Sequence, residues 1–309
     1  MKIFLTGGTS MVSKNILENS RSSEHVFIPS STKDLNLIDR NAVRNRLKME
    51  MPDMVIHTAA VVSGIHANIA NPVKYMTDNA YMGLNIIMEA YSLGIPNLLN
   101  FGSSCMYPRN IGKGLTEDLI LKGELEPTNE GYALAKIMST RLCEYVMRES
   151  KDIFYKTVIP CNIYGRHDNF DPNFSHLVPA VIKKLDEAAD AKVKEVDIWG
   201  DGKSRREFIS AKEVANFVFW TIDNMENLPQ NINFGLGYDY SIYEYYQEIA
   251  KVVGYEGKFT FDLSKPSGMK QKLCDIKKLN ELGWNTTSTL NEGLQETYEY
   301  YLKDIKNGI

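Results

Sequence analysis

The chain has 309 residues, with 35 Lys and Arg against 39 Asp and Glu for a net charge of -4, so it has no basic footprint for nucleic acid and none is expected as a partner. No apolar run reaches the roughly 18 residues of a bilayer span, and no leader pattern opens the chain, so a cytoplasmic protein with no membrane partner is expected. The cysteines at 105, 143, 161 and 274 show no CxxC spacing, which predicts reduced thiols and no metal site.

The first element is a short apolar run, Lys2-Ile3-Phe4-Leu5-Thr6. It leads through Gly7-Gly8-Thr9-Ser10-Met11-Val12-Ser13 into a helical stretch ending near Leu17. Strand, tight turn and helix start are where backbone N–H groups and the helix dipole hold a dinucleotide pyrophosphate. Buried-strand candidates follow at His25 to Ile28, Met54 to Thr58, Asn97 to Phe101 and Tyr155 to Pro160. Helical patterns separate them, notably Pro72 to Leu93 and Tyr132 to Arg148. This alternation predicts an α/β fold, a Rossmann-type doubly wound parallel sheet built from right-handed βαβ units.

After Gly165 the alternation breaks on loop-forming residues through Pro172, and a smaller carboxyl-terminal α/β lobe is expected. Its helices are expected around Leu177 to Ala189, Ile242 to Val253 and Leu290 to Leu302. Val214 to Ile222 and the strand Ile232-Asn233-Phe234 are expected to return to the first lobe. A dinucleotide-binding domain is therefore expected over 1–165 plus about 212–236, and a second, ligand-binding lobe over 166–211 with 237–309. The cleft between them is the default ligand site. The local cluster Lys203, Arg205 and Arg206 suits a small anionic ligand.

Gly102-Ser103-Ser104-Cys105-Met106-Tyr107 follows the strand at Asn97 to Phe101, and Tyr132-Ala133-Leu134-Ala135-Lys136 comes about thirty residues later. A hydroxyl, a phenol and an amine at this spacing form a proton relay for a carbonyl beside a nicotinamide. On a helix Lys136 lies one turn from Tyr132, and an ammonium there is expected to pull the phenol down toward working pH. A YxxxK pair alone would decide nothing among 17 tyrosines. Ser103 and Cys105 gain weight because they fall just past the carboxyl end of a strand, where such sheets place ligands.

These residues give the chain a family resemblance. It resembles the extended short-chain dehydrogenase/reductases and, within them, the GDP-L-fucose synthase (GDP-4-keto-6-deoxymannose epimerase-reductase) group. The similarity is carried by Asp34-Leu35-Asn36-Leu37, His57-Thr58-Ala59-Ala60, Gly64-Ile65-His66-Ala67-Asn68 and Ser103-Ser104-Cys105-Met106-Tyr107-Pro108. It continues through Glu126-Pro127-Thr128-Asn129-Glu130, Asp168 to His176, Arg206-Glu207-Phe208 and Ser264-Lys265-Pro266.

The resemblance implies NADP(H) as cofactor and a GDP-linked 4-keto-6-deoxy sugar as substrate. Cys105 matches the base and His176 the acid that invert carbons 3 and 5. Ser103, Tyr132 and Lys136 match the group that reduces carbon 4. The cofactor would lie along Gly7, Ser10, Met11 and Val12, then Ser31, Thr32, Lys33, Asn36 and Leu37, then Thr58, Ala59 and Ala60. Tyr132, Lys136, Asn162 and His176 would surround its nicotinamide. Ser104, Asn162, Lys184, Trp199, Arg206 and Lys272 would hold the substrate. Taken alone, Asn162 reads nearly as well as an Asx-type turn, Trp199 as core, Lys184 as helix surface and Cys105 as a small buried hydrophobe.

The chain departs from this group in its first loop, where GxxGxxG becomes Gly7, Ser10, Ser13. The two hydroxyls are expected either to replace a water on the phosphate or to cap the helix. No acid directly ends the second strand; Ser30-Ser31-Thr32-Lys33 follows, and these hydroxyls with an ammonium favour NADPH. Three activities are compatible with the sequence. The first is the epimerase-reductase, the second a C4 reductase of a GDP-4-keto-6-deoxy hexose or heptose without inversion, and the third a non-catalytic nucleotide-binding protein. The resemblance also implies a homodimer through Val73 to Leu93 and Tyr132 to Arg148, whose Met76, Tyr81, Met88, Met138, Tyr145 and Met147 exceed one core-facing stripe.

Overall fold

Strands read as nearly unbroken apolar runs because helices cover both faces of the sheet they form. In the computed structural model, residues 1–62, 64–111, 114–171, 174–265 and 269–308 are described. Pro172, Asn173 and Pro266 of the resemblance motifs, and the side chains of Ile65 and His66, lie outside that description. The first half contains β1 (Lys2–Thr6), α1 (Met11–Glu18), β2 (Val26–Ser30), α2 (Arg40–Glu50), β3 (Met54–His57), α3 (Ile65–Ala70), α4 (Pro72–Ser92), β4 (Asn97–Phe101), α5 (Glu130–Glu149) and β5 (Phe154–Pro160). Next come β6 (Asn162–Tyr164), α6 (Leu177–Asp190), β7 (Glu195–Trp199), β8 (Arg205–Arg206), β9 (Phe208–Ser210), α7 (Ala211–Asn224) and β10 (Asn231–Phe234). The chain ends with β11 (Tyr240–Ser241), α8 (Ile242–Val253), β12 (Lys258–Asp262), β13 (Gln271–Lys272), α9 (Lys277–Glu281) and α10 (Leu290–Tyr300).

Six strands form a parallel sheet in the order β10-β5-β4-β3-β1-β2. The order reverses at β1, with β2 on one side and β3 on the other. This opens a crevice beyond the carboxyl ends of β1 and β3. Alternate residues feed opposite cores. Ile3, Leu5, Met54, Ile56 and Leu99 pack with Val214, Phe217 and Val218 of α7. Phe4, Val55 and Leu98 pack instead with Val43, Leu47, Ile86 and Tyr155. The second strand extends to Ser30 despite Pro29, two residues past its expected end. As an edge strand paired only with β1, it tolerates a proline that lacks a donor.

As expected, α7 and β10 return to the main sheet, where β10 pairs with β5. α9 packs there too, Leu279 and Trp284 joining the core with Phe217 and Phe234, and the remaining late elements build the smaller lobe. Its sheets are β11-β8-β13 and β12-β7, while β6-β9 joins the two lobes. Its core joins α6, α8 and β7 through Val181, Ile182, Leu185, Val196, Ile198, Tyr245 and Ile249.

One buried asparagine ties three separate segments to β10. Asn233 of β10 accepts from the Tyr107 hydroxyl and donates through Nδ2 to the carbonyls of Leu115 at 2.6 Å and Asp275 at 2.9 Å. Its backbone N–H donates to Glu117 Oε1 at 2.9 Å, and the same carboxylate takes Lys278 Nζ at 2.7 Å on its other oxygen. Asn233→Ala removes the partner of the Tyr107 phenol and of the Asp275 carbonyl, while the Leu115 carbonyl keeps the Asp275 N–H at 3.0 Å, so a loss of about 3 kcal/mol is expected. The urea midpoint should fall accordingly; a midpoint equal to the wild type would show that these segments do not depend on the amide.

Candidate active site

β4 ends at Phe101, and Gly102 turns the chain where there is no room for a side chain. A Cβ there would lie 2.8 Å from Met106 Cε and 3.2 Å from the Val158 carbonyl. Ser103 is extended and caps the short turn Ser104–Met106, its Oγ accepting from the Cys105 N–H at 3.2 Å. Ser104 is buried within that turn. From α5, the Tyr132 hydroxyl comes near enough to the Ser103 side chain for that hydroxyl to act on it. One helical turn on, Lys136 Nζ lies 5.9 Å from the Tyr132 ring centroid and donates to the Phe101 carbonyl at 2.8 Å. The three expected relay residues therefore meet at the carboxyl edge of β4.

Their electrostatics correct one expectation. Burial pushes the Tyr132 phenol up, and the neighbouring Cys105 adds to the rise; only the Ser103 side chain pulls it down. The lowering expected from Lys136 is not among the influences on the phenol, whose direction is set by desolvation. Lys136 is itself brought down to about 8 by burial.

Cys105 sits in the same turn as Ser103 and is partly accessible. Two donors reach its Sγ: Asn129 Nδ2 at 3.2 Å and Lys272 Nζ at 3.5 Å. His176 is the residue before α6, and its side chain makes no capping bond. The residue is exposed, and desolvation by its surroundings holds its pKa below the usual histidine value.

The first loop fits a dinucleotide. Gly7 has φ +68°, and a Cβ on it would lie 3.0 Å from Ala59 Cα and 3.1 Å from Thr58 Oγ1. The N–H groups of Met11 and Val12, in the first turn of α1, have no preceding helical carbonyl to meet. Both hydroxyls that replace glycines turn inward. Ser10 caps α1 by accepting from the Ser13 N–H at 3.3 Å. Ser13 is fully buried and bonds Thr58 Oγ1 at 2.8 Å and the Thr6 carbonyl at 3.3 Å. Thr58 also donates to the Thr6 carbonyl at 2.6 Å, and the Ala59 N–H donates to Thr6 Oγ1 at 3.2 Å. Ala59 and Ala60 continue this turn, half-buried.

Beyond β2 the polar turn holds an acid that reading along the strand did not place there. The Asp34 carboxylate folds back to accept from the Ser31 N–H at 2.9 Å and the Ser31 hydroxyl at 2.6 Å. Thr32, Lys33 and Asn36 are exposed, and Leu37 is buried, its carbonyl accepting from Asn85 Nδ2 at 2.9 Å.

The expected substrate residues divide into two groups. Arg206 and Lys272 are register partners on β8 and β13, and Lys272 reaches Cys105. Arg206 Nη1 donates to the carbonyls of Arg205 at 2.7 Å and Met269 at 2.6 Å, and Glu126 acts on it electrostatically. Lys184 and Trp199 belong to α6 and β7. There Lys184 Nζ is bound to the Asp197 carbonyl at 2.7 Å and Oδ1 at 2.8 Å, while the Lys265 ammonium lies 5.4 Å over the exposed Trp199 ring. Asn162 opens β6 and donates through Nδ2 to the Glu207 carbonyl at 2.8 Å. The structure adds two residues: Asn129 at the thiol, and Glu207, whose buried carboxylate accepts the N–H groups of Leu236, Gly237 and Cys274 at 2.6, 2.8 and 3.0 Å. Both lie inside the motifs Glu126 to Glu130 and Arg206 to Phe208, the one signal that could have found them.

Known proteins are similar to this chain along nearly its whole length. Residues 3–237 match the NAD dependent epimerase/dehydratase family. The chain is 52% identical to a protein named GDP-L-colitose synthase from Yersinia pseudotuberculosis, covering 99% of this chain and 100% of that one. It is 43% identical to a GDP-L-fucose synthase from Azorhizobium caulinodans, covering 97% and 96%. A GDP-mannoheptose C4 reductase from Campylobacter jejuni, solved with NADP bound, superposes with a TM-score of 0.88 at 29% identity, covering 98% of each chain. With the relay at the sheet edge and a dinucleotide loop at the switch point, this chain belongs to the NAD dependent epimerase/dehydratase family.

Proposed function

We propose that this chain epimerises and reduces a GDP-4-keto-6-deoxy sugar in the manner of a GDP-L-fucose synthase, inverting carbons 3 and 5 and reducing carbon 4. It is an NADP-dependent oxidoreductase of the nucleotide-sugar epimerase/reductase type. The observation that carries the reading is that Cys105 and Ser103 share one turn facing Tyr132 and Lys136, so a base and a carbonyl-binding group serve one bound sugar. We assign residues 1–165 with 212–236 to cofactor binding and the remainder to the nucleotide-sugar lobe. The chemistry of its substrate and reduced cofactor suits the cytoplasm.

The ketone at carbon 4 acidifies the hydrogens on carbons 3 and 5. Cys105 Sγ takes such a proton: the C–H bond breaks, an S–H bond forms, and the electron pair moves onto the carbonyl oxygen as an enolate. Ser103 and Tyr132 stabilise that oxygen. His176 returns a proton on the opposite face. NADPH supplies the hydride for carbon 4, and Lys136, Tyr132, Asn162 and the turn at Thr58, Ala59 and Ala60 would hold its nicotinamide end. Tyr132 then gives its proton to the alkoxide. A phenol raised by burial keeps that proton until a stronger base develops beside it. Arg206 offers a guanidinium for the diphosphate, and Trp199 a stacking face for the nucleotide.

The 52% identity to a GDP-L-colitose synthase supports a second reading. Colitose lacks a hydroxyl at carbon 3, so only carbon 5 would need inversion. Proton NMR of the product formed with NADPH in deuterated water separates these. Deuterium at carbons 3 and 5 of a galacto-configured product from GDP-4-keto-6-deoxymannose is expected; turnover of the 3-deoxy analogue alone, with inversion at carbon 5, would favour the second. Reduction without deuterium at either carbon would leave a C4 reductase. Tyr132→Phe should cut reduction by about a hundredfold or more while proton exchange continues, and Cys105→Ser should reverse that pattern. Reduction at the wild-type rate in Tyr132→Phe would remove Tyr132 from the relay.

Lys136 gives a pH dependence. Its lowered value means that the ammonium is lost as pH rises through about 8 in the cofactor-free protein. NADPH affinity, followed by nicotinamide fluorescence, should therefore weaken above that pH, and Lys136→Met should be weak at every pH. A flat wild-type profile between pH 7 and 9 would contradict it.

We also propose a homodimer through α4 and α5. Val73, Met76, Tyr81 and Tyr145 are exposed on these helices, whereas Met88, Met138 and Met147 are half-buried. Equilibrium sedimentation at micromolar concentration should give twice the 35.1 kDa chain mass; a single 35.1 kDa species would refute the assignment.

A further inference from the structure

We propose that Lys272 is a positioning residue for Cys105, holding its sulfur as a thiolate together with the Asn129 amide. This rests on the reading of Cys105 as the base. Resemblance alone would give this lysine to the diphosphate, yet its ammonium lies 3.5 Å from Cys105 Sγ. Among the described residues no carboxylate pairs with it, and the sulfur is its hydrogen-bond partner. Asn129 Nδ2 reaches the same sulfur at 3.2 Å, and its Oδ1 is buried with no protein partner. A cation and an amide donor on one sulfur favour the anion, which is the form that removes a proton.

The lysine is brought there by a fixed strand. β13 pairs with β8, and the residues after it are bound in turn. The Leu273 carbonyl accepts from the Leu115 N–H at 3.0 Å, the Cys274 N–H donates to Glu207 at 3.0 Å, and the Asp275 carbonyl accepts from Asn233 at 2.9 Å. Asn233 also holds Tyr107, two residues beyond Cys105. One hub thus locks the turn that carries the sulfur and the strand that carries its counter-ion. The titratable groups facing the thiol are Tyr132 from α5 and Lys272 from β13, with neutral Asn129 from the turn before α5.

The test is the rate of iodoacetamide alkylation across pH for the full chain without ligands. Cys143, Cys161 and Cys274 are buried, so Cys105 reacts first, and Cys105→Ser identifies its phase. Lys272→Met should slow alkylation at pH 7 about tenfold and move the rate profile to higher pH, while Lys272→Arg retains most of the wild-type rate. If Lys272→Met does not fold, Lys272→Gln carries the same expectation. An unmoved profile in the variant that folds overturns the proposal. So does an arginine variant as slow as the methionine one, or a loss of GDP affinity with alkylation unchanged, which would return Lys272 to the diphosphate. Deuterium exchange in Cys105→Ser separates the two readings. Exchange that survives there refutes the base assignment and leaves the alkylation result standing; exchange lost there, with an unmoved alkylation profile, refutes the pairing alone.

Discussion

In the proposed reading, the reducing half of the site depends on one buried ammonium. Lys136 carries its charge into the protein, where desolvation lowers it to about 8, and the Phe101 carbonyl compensates with a hydrogen bond of 2.8 Å. That carbonyl is the last of β4, so the contact ties α5 to the sheet edge. Tyr132 lies one turn back on the same helix, and Ser103 lies two residues beyond Phe101. Donor, phenol and hydroxyl are therefore set by a single helix-to-strand registration. A helix slipped by one residue would separate all three at once.

The cofactor crevice solves a different packing problem. Glycine at the third loop position usually lets the helix approach the strand closely. Here Ser13 occupies that contact, and its hydroxyl would be costly there without partners. Thr58 and the Thr6 carbonyl provide them. Thr6 in turn bonds His57 Nδ1 at 2.9 Å, a buried imidazole that desolvation pushes down to about 3 and so keeps neutral. The polarity introduced by two serines is absorbed within the protein, and the face turned toward a pyrophosphate keeps its backbone N–H groups.

What could be read in the sequence follows from periodicity. The apolar runs of β3, β4 and β5 and the helices α4, α5 and α6 repeat locally, so their positions were legible to within a few residues. The proximity of Ser103, Tyr132 and Lys136 was legible because Tyr132 and Lys136 are helical neighbours and Ser103 lies two residues past a strand end. Asn129, Glu207 and Asn233 were not, because each acts by hydrogen bonds between segments far apart in the chain, which leave no periodic trace. Asp34 shows the same limit on a short scale. The strand-end rule looks for an acid in line with β2, and this one returns through a turn to reach Ser31. The burial that sets the Tyr132 phenol above its ordinary value depends on what packs around it, so spacing alone predicted the wrong direction.

The smaller lobe does more than close the cleft. Glu207 lies between Arg206, which faces the diphosphate in the proposed reading, and Phe208, which pairs with Asn162 at the junction of the two lobes. Its carboxylate gathers the N–H groups of Leu236, Gly237 and Cys274, and burial raises its pKa against those three bonds. The same carboxylate therefore fixes the chain just after β10 and the chain just after β13. Because β13 reaches Cys105 through Lys272, the geometry at the sulfur is set from the lobe that would bind the nucleotide, whereas the geometry at Tyr132 is set from the sheet. In the proposed reading the two halves of the chemistry thus rest on different supports, and a change in the smaller lobe would alter proton abstraction while leaving the reducing relay in register.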